Sequence, residues 1–311
     1  MEGQKLMRKV RVQLSAAAGF VAAATVFAQP VDFVYQRDYD YQRLIATRVV
    51  HDAEDNGPIQ LVTHVWKPLK NDRRELAFFM HGSTGGMATA PSEPPDGLSR
   101  PTLQFFVSRG YTVVFPLRRG RSGSTGTYVE ECSTRANKCT PKEQIDLTAR
   151  GLREASLDND AVLEQLVLDK LVPRDAKILL AGHSRGGFLA LLTAGERPGL
   201  VKAVINFAGA WINANDQSPL FQERVDLQAP LLSRAAKKFS GPTMWIYTAR
   251  DPNYNDRFRE ALHKAWRDGG GAVDSLYIAE HSLPNPHLAL QAPALWDQRV
   301  DAFLAGLDRR K

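Results

Sequence analysis

Residues 176–194 read AKILLAGHSRGGFLALLTA, and this stretch decides the fold. The first part, 176–181, is a short apolar run of strand length, whereas 187–194 carries apolar side chains at helical spacing. Between them stands GHSRG (182–186), in which glycines lie two positions before and two positions after a serine. The sequence therefore predicts a buried strand that turns sharply into a helix at Ser184.

A serine in such a turn is well placed to act as a nucleophile. The G-x-S-x-G pattern between a strand and a helix is known as the nucleophile elbow, because the tight turn exposes the serine hydroxyl. The free N–H groups at the start of the following helix also favour developing negative charge. The pattern also occurs by chance in glycine-rich turns, but its position between a strand and a helix favours catalysis by Ser184.

Short apolar runs alternate with helical segments along the rest of the chain. The predicted strands are 76–80, 111–117, 176–181, 201–207, 243–248 and 272–278. The predicted helices are 102–109, 140–173 with a break near 158–160, 187–194, 256–266 and 295–307. This alternation is typical of the α/β class, with a mostly parallel sheet that is covered by helices on both faces.

Two β-rich runs precede this alternation. They are residues 41–52 and 59–67, and the turn-forming residues 55–58 separate them. We therefore expect an antiparallel N-terminal hairpin that opens the domain.

The length and composition fit one large domain, which we assign to residues 31–311. The chain has 311 residues, of which 43% are hydrophobic and 24% charged, as is ordinary for a globular protein. The formal net charge is +6, and half of this charge lies in residues 1–28. No long basic run remains, so we expect no nucleic-acid partner. The stretch 211–240 is long for a connection and is either a small cap insertion over the site or one ordinary helix with long loops.

The first 28 residues have the pattern of a signal peptide. A basic start is followed by the apolar stretch 14–27, and Val26 and Ala28 are small residues at the −3 and −1 positions of a cleavage site. The alternative is an uncleaved membrane anchor, but the apolar stretch is shorter than the roughly 20 residues that span a bilayer. We expect a periplasmic or secreted protein that is not stably inserted in a membrane once the leader is removed.

The two cysteines, Cys132 and Cys139, are separated by six residues in a polar stretch. In an exported protein this spacing predicts a disulfide that closes a small loop, and two free thiols are the alternative. No histidine neighbours them, so they do not indicate a zinc site. The sequence also carries no dinucleotide fingerprint, and we expect neither a cofactor nor a metal.

Polar motifs follow several of the predicted strands. They are HGSTGG (81–86), RRGRSGSTG (118–126), ARDPNY (249–254) and PNPHL (284–288). Together with the elbow and the strand order they resemble the α/β-hydrolase superfamily, and within it the serine esterases and peptidases related to dienelactone hydrolase. The resemblance covers about residues 40–310. Dienelactone hydrolase itself uses a cysteine nucleophile, so the serine at position 184 departs from its lactone chemistry.

The resemblance implies a nucleophile, an acid and a histidine in that chain order. Three histidines follow Ser184 in the sequence. His263 lies in the middle of a predicted helix among charged residues, where we expect it to be solvated. The family's base lies in the loop between the last strand and the final helix, which matches His287, and His281 is the alternative.

The acid of the family follows the strand that precedes the last one. Asp251 stands in this position, immediately before a proline, and would fix the histidine tautomer and stabilise the imidazolium. Asp256 is the competitor, although its position suggests a helix cap.

By position, the backbone N–H groups of Ser83 and Arg185 would form the oxyanion hole. The glycine-rich loop that contains Ser83 is not followed by Lys-Ser or Lys-Thr, so it is not a P-loop. His81 and His183 precede the acid in the chain, and we interpret both as structural.

Three arginines in 118–126 allow two interpretations. They could bind an acidic group of the substrate, but such arginines more often pair within the protein or remain solvated. We favour the second interpretation for Arg118, Arg119 and Arg121.

The sequence thus predicts an exported, cofactor-free serine hydrolase that cleaves a small-molecule ester. A serine peptidase of the same fold is the alternative enzyme, although related peptidases usually carry a large accessory domain. A catalytically inactive binding protein with this fold is the alternative outside enzymes, but that interpretation normally requires the loss of a triad member.

Overall fold

A computed structural model describes most of the chain. The described residues are 39–52, 54–83, 98–130, 140–173, 177–212 and 220–309. The expected signal peptide (1–28) and the expected disulfide between Cys132 and Cys139 lie outside them, as does the segment 213–219 of the possible cap.

The described residues form an eight-stranded sheet in the order β1-β2-β4-β3-β5-β6-β7-β8. The strands are β1 (Tyr39–His51), β2 (Asn56–Pro68), β3 (Glu75–Met80), β4 (Tyr111–Pro116), β5 (Ile178–His183), β6 (Val201–Phe207), β7 (Thr243–Thr248) and β8 (Val273–Ile278). β2 pairs antiparallel with both β1 and β4, and the other neighbouring strands pair parallel. The predicted N-terminal hairpin and mostly parallel sheet are therefore confirmed.

The helices connect the strands and cover both faces of the sheet. They are α1 (Arg100–Ser108), α2 (Pro141–Leu168), α3 (Arg185–Glu196), α4 (Phe221–Lys238), α5 (Asp256–Asp268) and α6 (Asp297–Asp308). One hydrophobic cluster joins the sheet to α2, α3, α4 and α5, and a second joins its other face to α1 and α6. Phe78 and Phe79 show the division, because these fully buried neighbours on β3 belong to opposite clusters.

Helix α2 begins as the sequence predicts but does not break where expected. The Thr140 hydroxyl accepts a hydrogen bond from the N–H of Glu143, and the Glu143 carboxylate accepts one from the N–H of Thr140. The predicted break near 158–160 is wrong, because the helix is continuous through these residues. The carboxylate of Asp158 is buried and pairs with the guanidinium groups of Arg48 and Arg119, so it does not compete for the local backbone.

Helix α4 occupies most of the described part of 211–240. It packs against α3 and α5 in the first hydrophobic cluster. Whether the segment before it covers the site stays a prediction, because 213–219 are not described.

The parallel strands fix where a site can form. The carboxyl ends of β3, β4, β5, β6, β7 and β8 lie at one edge of the sheet, so the loops that follow these strands meet there. Every polar motif around the predicted triad follows one of these strands. Among the described residues, no helix combines the length and apolar character needed to cross a membrane.

Candidate active site

Ser184 lies between β5 and α3 in a strained backbone conformation. Its φ is 55° and its ψ is −123°, which residues with a side chain rarely adopt. Its N–H donates to the carbonyl of Phe207 on β6 at 2.9 Å, and its carbonyl accepts from the N–H of Phe188 at 3.2 Å. The sheet and the first helical turn thus hold the serine in this geometry.

The two flanking glycines permit a very close approach of backbone segments. A Cβ on Gly182 would lie 2.2 Å from the carbonyl oxygen of Gly186, and a Cβ on Gly186 would lie 1.9 Å from that of Met80. The turn therefore packs against itself and against the end of β3, and neither position has room for a larger residue.

Asp251 and His287 meet at the same sheet edge. The Nδ1 atom of His287 donates to Oδ2 of Asp251 at 2.8 Å, and both residues are buried. Asp251 follows β7, while His287 lies in the short 3-10 helix Pro286–Gln291 that follows β8. Because Nδ1–H donates this hydrogen bond, the proton of the neutral imidazole is on Nδ1, and Nε2 keeps a lone pair for proton abstraction.

The carboxylate of Asp251 is itself held by its own loop. Its Oδ1 atom accepts hydrogen bonds from the N–H groups of Asn253 at 2.8 Å and Tyr254 at 3.2 Å. With Oδ1 occupied in this way, Oδ2 faces the imidazole of His287. The candidate acid is thus oriented by backbone donors.

His183 fixes the backbone of the candidate base. Its Nε2 atom donates to the carbonyl oxygen of His287 at 2.7 Å, and the two ring centroids are 4.7 Å apart. Burial and the neighbouring His287 lower the pKa of His183 to about 3, so it remains neutral. The residue predicted to be structural therefore ties the loop of His287 to the elbow.

The two other downstream histidines have different environments. Both ring nitrogens of His281 contact the backbone: Nε2 is 2.9 Å from the carbonyl of Ala249, and Nδ1 accepts from the N–H of Leu283. The prediction that His263 is solvated is wrong, because this ring is buried and lies edge-on to Trp245 at 4.5 Å. Burial, together with the positive charges of Arg259 and Arg267 one helical turn to either side, lowers the pKa of His263 to about 4.

Asp256, the competing acid, lies apart from this hydrogen-bonded pair. Its side chain is 61% exposed and forms an ion pair with Arg259. Asn255, rather than Asp256, caps α5 by accepting from the N–H of Phe258 at 2.8 Å.

The loop after β3 approaches Ser184, the candidate nucleophile, closely. A Cβ on Gly82 would lie 3.2 Å from Cβ of Ser184. Arg118 donates to the carbonyl oxygens of His81 at 2.9 Å and Gly82 at 3.3 Å. In a trans peptide the N–H points opposite to the C=O, so a fixed Gly82 carbonyl also fixes the direction of the Ser83 N–H.

A buried carboxylate that the sequence analysis missed links the two candidate oxyanion donors. Glu130 forms ion pairs with Arg118 at 2.6 Å and with Arg185 at 3.3 Å. Burial opposes its ionisation, but these two guanidinium groups lower the pKa of Glu130 to about 2. No local pattern marks Glu130, because its importance arises from contacts with residues 12 and 55 positions away.

The arginines after β4 face inward. Arg118 pairs with Glu130, and Arg119 pairs with Glu154 and with the Asp158 carboxylate of α2. Arg121 is buried with its guanidinium 3.2 Å from the ring centroid of Tyr128. The predicted internal pairing is therefore confirmed for Arg118 and Arg119, and these arginines serve the fold.

A tyrosine also contacts the candidate nucleophile directly. The hydroxyl oxygen of Tyr254 is 3.2 Å from Oγ of Ser184, and its ring lies edge-on to His287 with centroids 5.1 Å apart. Within the described part of the chain, no hydrogen bond joins Oγ of Ser184 to the imidazole of His287. Catalytic hydrogen bonds are often long in structures without substrate and shorten in the substrate complex.

Comparison of the sequence with family models places the chain in a known family. The model of the alpha/beta hydrolase family matches residues 77–310, and the chain therefore belongs to that family. It has the α/β-hydrolase fold, and the solved structures that share this fold with it include esterases and peptidases. No curated protein sequence matches it significantly.

Three solved structures illustrate the similarity of fold. The chain is 17% identical to the acylaminoacyl peptidase of Pyrococcus horikoshii, with a TM-score of 0.58, and the match covers 88% of this chain but only 42% of the peptidase. It is 16% identical to an esterase of Pyrococcus furiosus, with a TM-score of 0.55 and coverage of 86% and 92%. A probable hydrolytic enzyme of Pseudomonas aeruginosa is 15% identical, with a TM-score of 0.51 and coverage of 87% and 95%.

Proposed function

We propose that the protein is a serine hydrolase that cleaves carboxylic esters through an acyl-enzyme. The hydrogen bond between Nδ1 of His287 and Oδ2 of Asp251 carries this proposal, because it assembles a base and its acid at the sheet edge that holds Ser184. The triad is thus Ser184, Asp251 and His287, in the chain order of the family.

In the first half of the reaction, Oγ of Ser184 attacks the ester carbonyl while Nε2 of His287 removes its proton. The carbonyl oxygen becomes negatively charged and accepts hydrogen bonds from the backbone N–H groups of Ser83 and Arg185. Asp251 stays ionised and stabilises the imidazolium. His287 then returns the proton to the leaving alkoxide, and an acyl-serine remains.

In the second half, water replaces the alcohol. His287 accepts a proton from this water, whose oxygen attacks the acyl carbon of the ester on Ser184. The same donors stabilise the second oxyanion, and collapse of the intermediate returns the proton to Oγ. One water is consumed, and one carboxylic acid and one alcohol are released.

The substrate class is the first part of the proposal to test. Purified protein is assayed with p-nitrophenyl esters of several chain lengths and with aminoacyl-p-nitroanilides. We expect turnover of the esters and little or none of the anilides. Preferred turnover of anilides would establish a peptidase, and inertness toward both series, with no labelling of Ser184 by a fluorophosphonate, would favour a binding protein.

We further propose that the protein is exported, with cleavage after Ala28 and a disulfide between Cys132 and Cys139. The support is the three-part pattern of residues 1–28 and the spacing of the two cysteines. The intact mass of protein from its native host should correspond to a chain that begins at Gln29. Alkylation without reductant should leave the mass unchanged, whereas a full-length chain with two alkylated thiols would contradict both parts.

A further inference from the structure

Tyr254 contacts the proposed nucleophile from the loop that carries the proposed acid. It is three residues beyond Asp251 and only 4% exposed. Its hydroxyl oxygen lies 3.2 Å from Oγ of Ser184. The proposed mechanism gives this phenol no role, although it touches the reacting atom.

The direction of this hydrogen bond follows because the Tyr254 hydroxyl has only one proton to donate. The Tyr254 hydroxyl donates its single proton to the carbonyl oxygen of Ala210 at 2.9 Å, and a carbonyl can only accept. The hydroxyl of Ser184 must therefore donate to the oxygen of Tyr254. The resting serine thus directs its proton toward the tyrosine rather than toward His287.

This phenol can act neither as a base nor as an oxyanion donor. Burial raises the pKa of Tyr254 well above its usual range, so the hydroxyl remains neutral. Its proton is committed to the Ala210 carbonyl, and the tyrosine presents only lone pairs to Ser184. The lone pairs of the Tyr254 oxygen can accept a hydrogen bond from the Ser184 hydroxyl. They would repel the negative charge that develops on the substrate carbonyl oxygen.

Tyr254 is also fixed at both ends. Its N–H donates to Oδ1 of Asp251 at 3.2 Å, while its hydroxyl is held by the carbonyl of Ala210. Its ring packs against His287 and Phe258, with centroids 5.1 and 5.8 Å away. The hydroxyl therefore cannot follow the serine when the serine turns toward the base.

We propose that Tyr254 is a resting-state acceptor that holds the Ser184 hydroxyl away from His287 until substrate binds. This inference rests on the proposed function of Ser184 as nucleophile. The hydrogen bond stabilises the unreactive orientation, so each catalytic cycle must break it before attack. Removal of the acceptor increases the population of serine that faces the base.

Tyr247 provides a matched control in the same part of the fold. It is buried, and its hydroxyl donates to the carbonyl oxygen of Gly209 at 2.9 Å and accepts from Nδ2 of Asn206 at 3.3 Å. Phenylalanine at position 247 removes the donor to the Gly209 carbonyl, and phenylalanine at position 254 removes the donor to the carbonyl of the next residue, Ala210. Only position 254 contacts Ser184.

The test compares the wild type with Tyr254→Phe and Tyr247→Phe. Three quantities are measured: the rate of fluorophosphonate labelling at Ser184, kcat/KM for a p-nitrophenyl ester, and the Tm. We expect both variants to melt at a lower temperature, because each loses a buried hydrogen bond. Only Tyr254→Phe should be labelled faster and show a higher kcat/KM, by about 2- to 10-fold, which is the effect of one hydrogen bond.

Labelling of Tyr254→Phe at or below the wild-type rate would overturn the proposal. If this variant does not fold, Tyr254→Met also lacks the hydroxyl and adapts its shape to the site, and the same expectation applies to it. A general loss of packing would lower the reactivity of either variant rather than raise it.

A double-mutant cycle tests the contact without any turnover. Unfolding free energies are measured for the wild type, Ser184→Ala, Tyr254→Phe and the double variant, and we expect them to be non-additive. Additive effects in a protein that is labelled at Ser184 would overturn this proposal alone. A wild type that is not labelled at Ser184 would overturn the proposed function, and this proposal with it.

Discussion

At the scale of single residues, the tautomer of His287 is the central feature of the site. Asp251 accepts a hydrogen bond from Nδ1–H of His287 at 2.8 Å, and the carbonyl oxygen of His287 accepts one from His183. Asp251 therefore fixes the ring of His287, and His183 fixes its backbone. If His287 is the base, as proposed, it requires little reorganisation to face Ser184, and such preorganisation is a large part of what a triad contributes.

Replacement of each loop histidine by alanine tests the assignment of His287 as the base. We expect His287→Ala to lower kcat by several orders of magnitude, because the members of a triad act as a unit. His281→Ala should retain most of the activity, since its ring contacts the backbone of Ala249 and Leu283 rather than a carboxylate. Rates are compared on one activated ester, with circular dichroism as the control for folding. An active His287→Ala beside an inactive His281→Ala would reassign the base.

Only some residues of the candidate site could be predicted from the sequence. Ser184, Asp251 and His287 could be nominated because each stands at a fixed place relative to a predicted strand. Tyr254 and Glu130 could not, because their importance depends on contacts with residues 70 and 55 positions away in the chain. A residue type and its neighbours in sequence do not reveal such distant partners.

At the scale of elements, the junction between β3, β5 and α3 determines the geometry of the site. The Gly186 backbone packs directly against the carbonyl of Met80, at the end of the strand that leads to Ser83. The segments that carry both candidate oxyanion donors thus touch with no side chain between them. A change in their separation would move both N–H groups relative to Ser184.

Gly186→Ala is therefore expected to lower both stability and activity. The added methyl would lie 1.9 Å from the Met80 carbonyl oxygen, and overpacking of this kind costs about 1–3 kcal/mol or more. Gly199→Ala is the matched control, because a Cβ there meets no atom within 4 Å. Urea unfolding and ester turnover are measured for both. Equal stability and activity of the two variants would contradict the close packing.

Most elements could be predicted because each is a short apolar run or an amphipathic segment with clear boundaries. The prediction failed at α2, where Asp158, Asn159 and Asp160 resemble a helix end but the helix continues through them. Arg48 and Arg119 reach this turn from β1 and from the loop after β4, and they bind the carboxylate of Asp158. A tertiary ion pair thus overrides a local signal, and a sequence pattern cannot show it.

At the scale of the whole molecule, buried histidines couple folding to pH. Besides His287, four histidines are buried in the described residues, and burial lowers the pKa of His64 and His263 to about 4 and of His81 and His183 to about 3. In the unfolded chain their pKa values are close to 6.5. Below pH 6.5 the unfolded chain therefore binds protons that the folded protein excludes.

The free energy of unfolding should consequently fall as the pH falls from 6.5 toward 4. Each histidine contributes up to about 1.4 kcal/mol per pH unit in this window. Below pH 4.5 Glu130 adds to the loss, because its pKa is lowered to about 2 in the folded protein and its stabilising ionisation is lost as the pH falls. Urea unfolding at several pH values between 7 and 4.5 measures the slope.

His263→Phe isolates one histidine of this group. Phenylalanine keeps a ring against Trp245 but cannot bind a proton. We expect the dependence of the unfolding free energy on pH between 6 and 4.5 to become shallower by about 1 kcal/mol per pH unit. A slope equal to that of the wild type would show that His263 does not contribute.

The bond from His183 to the carbonyl of His287 has a consequence for motion. It joins the residue before Ser184 to a loop more than a hundred positions later in the chain. A fluctuation that lifts this loop must break that bond together with the bond to Asp251. The backbone amides around His287 should therefore exchange with solvent deuterium at the rate of the central sheet rather than at that of a surface loop, so the site opens and closes as one cooperative unit.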